Sequence, residues 1–325
     1  MTTATLAVAA ERLAVLLTGG GTNLSDPTGR DLVFDYDIVP RPLARTAAPE
    51  EVWAVDGGQA LVADARCLQL VVTRAARVRF RDGECLEYEG ELQARLVGCG
   101  EERPVAAGLG LGIAPDAAVD LNLLRDREEW VAVEQCIDAA QPGAVVLVDG
   151  DLVPDWRIPS WWLRGLLVKA AAAGVTLAGV TKRSSLARGG APLLGHLELE
   201  AEATLGRRAM WWTPVARTRP DVDASAGIQV VAARLDPDAR FAFRVDLPGD
   251  VDAERVLSAL AGLCDDAAFP GYPYPLTVAD RLAACPGWLR DEAWTEVEGH
   301  FDRVGVPYDV RERAFADRHG LMERF

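Results

Sequence analysis

The sequence predicts an α/β fold: a mixed sheet with flanking helices and a helical C-terminal part. Three observations carry that expectation. Two short β-branched runs stopped by glycine, VWAVDGG (residues 52–58) and AVVLVDGD (residues 144–151), read as buried strands ending in tight turns. The succession AVVLV, WRIPSWWLRGLLVKAAAAG, VTLAGVTK alternates strand, helix and strand, which is a βαβ crossover and implies parallel pairing. The last third of the chain carries mostly helical periodicity.

The elements follow in order. TLAVAAERLAVLL at the N-terminus reads as an amphipathic helix, because Glu11 and Arg12 interrupt the apolar run and no basic segment precedes it as in a signal peptide. An irregular Gly/Pro-containing arm completes residues 1–50, and residues 51–325 form the main body. VWAV, LVADARCLQLVVTRAARVRF and ECLEYEGELQARLVG make an antiparallel meander leading away from Asp56. GLGLGIAP (residues 108–115) is a loop. It lacks the third glycine of a dinucleotide fingerprint, and no glycine run is followed by a phosphate-binding lysine, so nucleotide binding has little support. A long helix, AAVDLNLLRDREEWVAVEQCIDAA, precedes the second Asp-Gly strand. IQVVAARL and ARFAFRVDL are two later strands, and VDAERVLSALAGLCDDA, PLTVADRLAAC and DEAWTEVEGHFDRVG are helices. This element order is that of an RNase H-like core, although periodicity alone admits other mixed folds.

Composition narrows the chemistry. The 325 residues are 50% hydrophobic, enough for one large domain or two smaller ones. No apolar stretch reaches membrane-spanning length, so no membrane partner is expected and the expected location is cytoplasmic. Six scattered cysteines without CxxC spacing read as reduced core thiols rather than zinc sites or disulfides. Only three histidines are present, which leaves a histidine-based triad or metal site poorly supplied. Carboxylates are abundant, and oxygen ligands suit hard divalent cations. The formal net charge of −15 argues against a large basic nucleic-acid footprint but permits a local groove. Lys169 and Lys182 are the only lysines in a chain whose basic residues are otherwise arginine, which singles out Lys182 at a strand end.

Asp56 and Asp149, each closing a buried strand, can be aimed at one metal ion if the strands are neighbours. The ordinary reading of each Asp-Gly is a turn. The helix between them offers Glu128, Glu129 and Glu134, and the five-residue spacing of Glu129 and Glu134 lets at most one face the strand ends. Arg74, Arg77, Arg79 and Arg81 alternate along one strand region and read first as a solvated sheet face, with tracking of a DNA backbone as the sharper alternative. The adjacent pairs Trp161-Trp162 and Trp211-Trp212 are expected to split, one inward and one outward.

With VDGG at Asp56, RDREEW at residues 125–130, VLVDGDL at Asp149, AGVTKRS at Lys182 and GYPYPLTVADRLA from Gly271, the chain resembles the NurA nucleases of DNA double-strand-break processing. These five motifs fall in the family's order. The resemblance implies an RNase H-like fold and a Mn²⁺- or Mg²⁺-dependent deoxyribonuclease, holding two ions and resecting DNA ends as a 5′–3′ exonuclease with single-strand endonuclease activity. It also implies a homodimer partnered with a hexameric HerA-type translocase, the N-terminal helix being a candidate contact. By motif, Asp56, Glu129 and Asp149 are implied as metal-binding carboxylates and Tyr272 as the family's tyrosine. Asp280 stands where the family usually has histidine, as a substitute carboxylate ligand. Lys182, Gly57 and Gly58 are candidate substrate contacts, the glycines by letting the DNA backbone approach. Tyr272 can stack on a terminal base, bind a phosphate, or simply pack in a turn. Asp151 replaces a small hydroxyl residue and is expected to face solvent. Two rival functions remain open from the sequence: a non-catalytic partner subunit of the translocase, and an RNase H-like nuclease acting on RNA or hybrids.

Overall fold

The computed structural model describes residues 6–19, 21–28, 32–35, 37–65, 67–98, 100, 102–112, 119–153, 160–218 and 227–316. The element order is α1 (Leu6–Thr18), β1 (Leu24–Ser25), β2 (Leu32–Phe34), β3 (Arg41–Pro42), β4 (Glu51–Asp64), β5 (Gln69–Arg81), β6 (Glu84–Glu89), β7 (Leu92–Val97), α2 (Glu102–Gly108) and α3 (Leu121–Ala139). Then come β8 (Val145–Asp149), α4 (Ser160–Ala173), β9 (Thr176–Thr181), β10 (Ala187–Arg188), β11 (Ala191–Pro192), α5 (Leu193–Leu205), β12 (Trp211–Thr218), β13 (Ile228–Arg234) and β14 (Phe243–Pro248). The C-terminal part is α6 (Ala253–Leu260), α7 (Tyr274–Ala283), α8 (Gly287–Val304) and α9 (Tyr308–Phe315).

The principal sheet runs β2-β12-β13-β14-β9-β8-β4-β5-β6, with β3 also on β12 and β7 also on β5. Its centre, β4-β8-β9, is parallel, as the crossover through α4 requires, and its flanks are antiparallel. The fold is mixed α/β with an RNase H-like core, as the element order leads one to expect.

Both faces of the sheet are covered. Trp53, Val55, Val146 and Val148 pack with Leu123, Leu124 and Trp130 of α3, Leu166 of α4 and Leu193 of α5. The alternate residues Val52, Ala54, Val145 and Leu147 pack with Val256 and Leu257 of α6 and Leu276 of α7. This double cover overturns the expectation for Trp211-Trp212: both are buried, Trp211 in one core and Trp212 in the other. Trp161-Trp162 splits as expected, with Trp161 exposed and Trp162 buried.

The first Asp-Gly is not a turn. β4 runs on through Asp56, Gly57 and Gly58 to Asp64, held there by antiparallel pairing with β5 whose register shifts only between Leu61 and Ala63. The second does end its strand, where Gly150 adopts φ +136°, a conformation costly to any residue with a side chain. α2, α5, β12 and α9 are elements that the periodicity did not single out. Every residue of α1 is exposed, and among the described residues no helix is long and apolar enough to cross a membrane. Among the described cysteines, Cys136 and Cys264 are buried thiols, whereas Cys67 and Cys85 are exposed rather than in the core.

Candidate metal centre

The parallel register pairs Val55 of β4 with Val148 of β8, so the next residues, Asp56 and Asp149, stand level at the point where β8 ends. Strand alternation then decides where they point. Val55 and Val148 face the α3 side, so Asp56 and Asp149 face the α7 side. There Asp280 of α7 meets them, and one carboxylate oxygen from each of the three lies within 4.8 Å of the others. The Lys182 ammonium, one residue beyond β9, sits between two of them, 2.6 Å from Asp149 Oδ2 and 2.5 Å from Asp280 Oδ1.

Burial and mutual repulsion show in the electrostatics. Burial first, and then the Asp149 charge, push Asp56 up from 3.8 to about 7, against the Gly57 N–H that donates to its Oδ1 at 2.7 Å. Burial also raises Asp149, although the Lys182 ammonium pulls it back. Burial opposes the charge on Lys182, but the Asp149 and Asp280 carboxylates prevail and hold it above the ordinary lysine value. Tyr272 is 1% exposed, with Phe243 and Phe269 against its ring. Its hydroxyl turns towards Asp149 without a well-formed hydrogen bond, and burial raises its pKa well above the usual phenol. Enclosed in this way, Tyr272 has no free face on which to stack a base.

Glu129 reaches the same sheet edge from the opposite face. It is buried on α3 and paired with Arg125, whose Nε is 3.0 Å from Glu129 Oε1. Burial raises its pKa well above the carboxylate range, with the Arg125 charge opposing and the Asp56 and Asp149 charges adding. Among the described residues, the three-aspartate cluster does not include it. The rivals on the same helix are engaged elsewhere: Glu128 with Arg95 and Glu134 with Lys169. Of the three glutamates, Glu129 is therefore the one beside Asp56.

The glycines have reasons internal to the protein. A Cβ on Gly57 would lie 2.0 Å from Glu129 Oε1, and one on Gly58 would lie 1.9 Å from the Ala283 carbonyl oxygen at the end of α7. Their space is filled by Glu129 and α7, one from each face of the sheet. The arginine run is likewise engaged within the chain. Arg74 donates to the Leu282 carbonyl, Arg77 pairs with Glu89, Arg79 with Glu87 and Glu51, and Arg81 with Glu51. It is neither a free DNA track nor a merely solvated face.

Sequence reasoning missed the pair that fixes the loop after Asp149. Arg244 and Asp246 of β14 are fully buried and doubly hydrogen-bonded, both contacts at 2.8 Å. Asp246 also accepts the Leu152 N–H at 3.1 Å. Asp151, expected in solvent, instead turns its half-buried carboxylate to Arg244 at 3.9 Å. The charged pair inside the apolar run FAFRVDL is the trace it leaves in the sequence.

Three carboxylates from three elements, with a buried tyrosine hydroxyl aimed at one of them, form an all-oxygen set that suits a hard divalent cation. The repulsion among these carboxylates is relieved by protonation, as the raised Asp56 pKa shows, or by a bound cation.

The chain is similar in structure to the NurA nuclease from Sulfolobus solfataricus, with a TM-score of 0.56, 16% identity, and coverage of 82% of this chain and 88% of that one. Human endonuclease V aligns at a TM-score of 0.41 and 14% identity, over 77% of this chain and 92% of that one. No protein-family model and no curated protein sequence matches the chain.

Proposed function

We propose that this chain is a metal-dependent deoxyribonuclease that hydrolyses phosphodiester bonds at DNA ends, with Asp56, Asp149 and Asp280 holding Mn²⁺ or Mg²⁺. The observation that carries the reading is the register that sets Asp56 beside Asp149, facing Asp280, at one edge of a NurA-like sheet.

Divalent ions held by Asp56, Asp149 and Asp280 would supply positive charge to the attacking and leaving oxygens and would ease deprotonation of the attacking water. The residues divide the remaining work. Asp56 and Asp149 are fixed by strand pairing, and Asp280 comes from a helix docked through Gly58. Tyr272, its hydroxyl turned towards Asp149, packs beneath the cluster. Glu129, held by Arg125 next to Gly57, completes the acidic shell from the other face and becomes a fourth oxygen ligand if Arg125 releases it. Lys182 binds a substrate phosphate in this reading, which its partial exposure beside Asp149 supports. Cleavage as a 5′–3′ exonuclease with single-strand endonuclease activity, in double-strand-break repair, belongs to the same proposal. So do a homodimer and a HerA-type translocase partner. The exposed apolar residues of α1, Leu13, Val15, Leu16 and Leu17, support a partner contact.

Linear duplex and single-stranded DNA, with matched RNA and hybrid substrates, are incubated with Mn²⁺ or Mg²⁺. DNA products should form and disappear with EDTA, and Asp56→Ala and Asp149→Ala should each lose at least a hundredfold in rate. Undiminished cleavage by both variants sinks the assignment, and preferential cleavage of RNA or hybrid redirects it.

A further inference from the structure

We propose that Lys182 is an internal counter-ion for the acidic centre, exchanged for a divalent cation, so that metal entry and release of a phosphate-seeking ammonium are one event. The inference rests on the metal-centre reading above and adds to it a competition between the protein's own cation and the metal.

Geometry is the first support. The ammonium bridges Asp149 Oδ2 and Asp280 Oδ1, two of the three carboxylates that offer oxygens within 4.8 Å of one another. A Mg²⁺ held by the same carboxylates needs metal–oxygen distances of about 2.0–2.1 Å. At that range the ion would take up the carboxylate oxygens that the ammonium now holds, Asp149 Oδ2 and Asp280 Oδ1. The two occupants therefore exclude each other. The side chain also has somewhere to go. Lys182 is 37% exposed, and its ammonium stands 5.2 Å over the Tyr272 ring.

The choice of residue is the second support. This chain uses lysine at only two positions and arginine at every other basic one, so a lysine here departs from its own habit. A guanidinium would grip two carboxylates with a rigid planar fork. An ammonium is a compact point charge on a flexible stem, able to neutralise the pair and then swing away. The metal-free centre is thus held in its working arrangement, and the displaced Lys182 arrives at the phosphate only after the metal is seated.

The test uses the full chain, stripped of metal and without DNA. Mn²⁺ affinity is read from the free-ion electron paramagnetic resonance signal for wild type, Lys182→Met and Lys182→Arg. The exchange predicts that Lys182→Met binds Mn²⁺ at least tenfold more tightly than wild type, and Lys182→Arg more weakly. Equal or weaker binding by Lys182→Met overturns the exchange while leaving the metal centre standing. Absence of Mn²⁺ binding by every protein at millimolar concentration overturns the metal centre itself. A second measurement needs no substitution at the site. With ¹⁵N-lysine labelling, the chain has two ammonium signals, assigned with Lys169→Arg. Mg²⁺ should expose the Lys182 ammonium to rapid solvent exchange and leave the Lys169 signal unchanged. A Lys182 signal that persists at saturating Mg²⁺ overturns the proposal.

Discussion

At Gly57, the lack of a single methyl group decides how the two faces of the sheet meet. A Cβ there would sit 2.0 Å from Glu129 Oε1. Gly57→Ala should therefore displace Glu129 and cost about 1–3 kcal/mol in chemical denaturation, the usual cost of overpacking. Adding Glu129→Ala should return much of that loss, a non-additivity expected only of residues in contact. Asp56 gives a pH prediction of definite sign. Its carboxyl is raised from 3.8 to about 7, so the fold favours the neutral acid. That contribution is complete below the unfolded value and is lost as pH rises through about 7. Metal-free protein should thus lose thermal stability between about pH 4 and 7, and Mn²⁺ should restore it at the upper end. Calorimetry checks both, and a profile no steeper than that of Asp56→Asn would contradict the assignment. Asp56, Asp149 and Lys182 lie in motifs visible in the sequence, whereas Asp280 stands where the resembled motif has histidine. The placement of Tyr272 was not legible, because the motif names a tyrosine without saying that Phe243 and Phe269 enclose it.

Among the elements, β4 is where local preference loses to the sheet. Asp-Gly-Gly is a strong turn signal. Yet thirteen paired positions along β5, Glu51 through Asp64, carry the strand straight through it. The βαβ unit β8-α4-β9 was legible because a parallel neighbour needs a crossover. β12 was not, since its two tryptophans look amphipathic only if one face is wet, and here neither is. The loop that presents Asp149 depends on β14. Arg244→Met would leave the Asp246 carboxylate buried and unpaired, at a cost of about 3–5 kcal/mol in denaturation. The same change should reduce cleavage, since Asp246 also fixes the Leu152 N–H behind Gly150. A surface-like effect on stability would show that the pair is not a structural clamp.

Across the whole molecule, the division into two covered faces organises the site. α3 brings Glu129 and Arg125 from one face, α7 brings Asp280 from the other, and Asp56 within β4 and Asp149 at the end of β8 lie between. Periodicity made the layers legible, but not which acidic residues they bring together. That depended on a parallel register, on strand alternation, and on two glycines that let the helices close in. Asp56, Asp149 and Asp280 are the centre on which these pieces converge. The most direct test of that centre is anomalous diffraction from a crystal soaked in Mn²⁺. A peak is expected about 2.2 Å from carboxylate oxygens of Asp56, Asp149 and Asp280, with Lys182 turned away from them. A well-ordered soaked crystal with no peak at these carboxylates, and with Lys182 still bridging Asp149 and Asp280, would contradict that expectation.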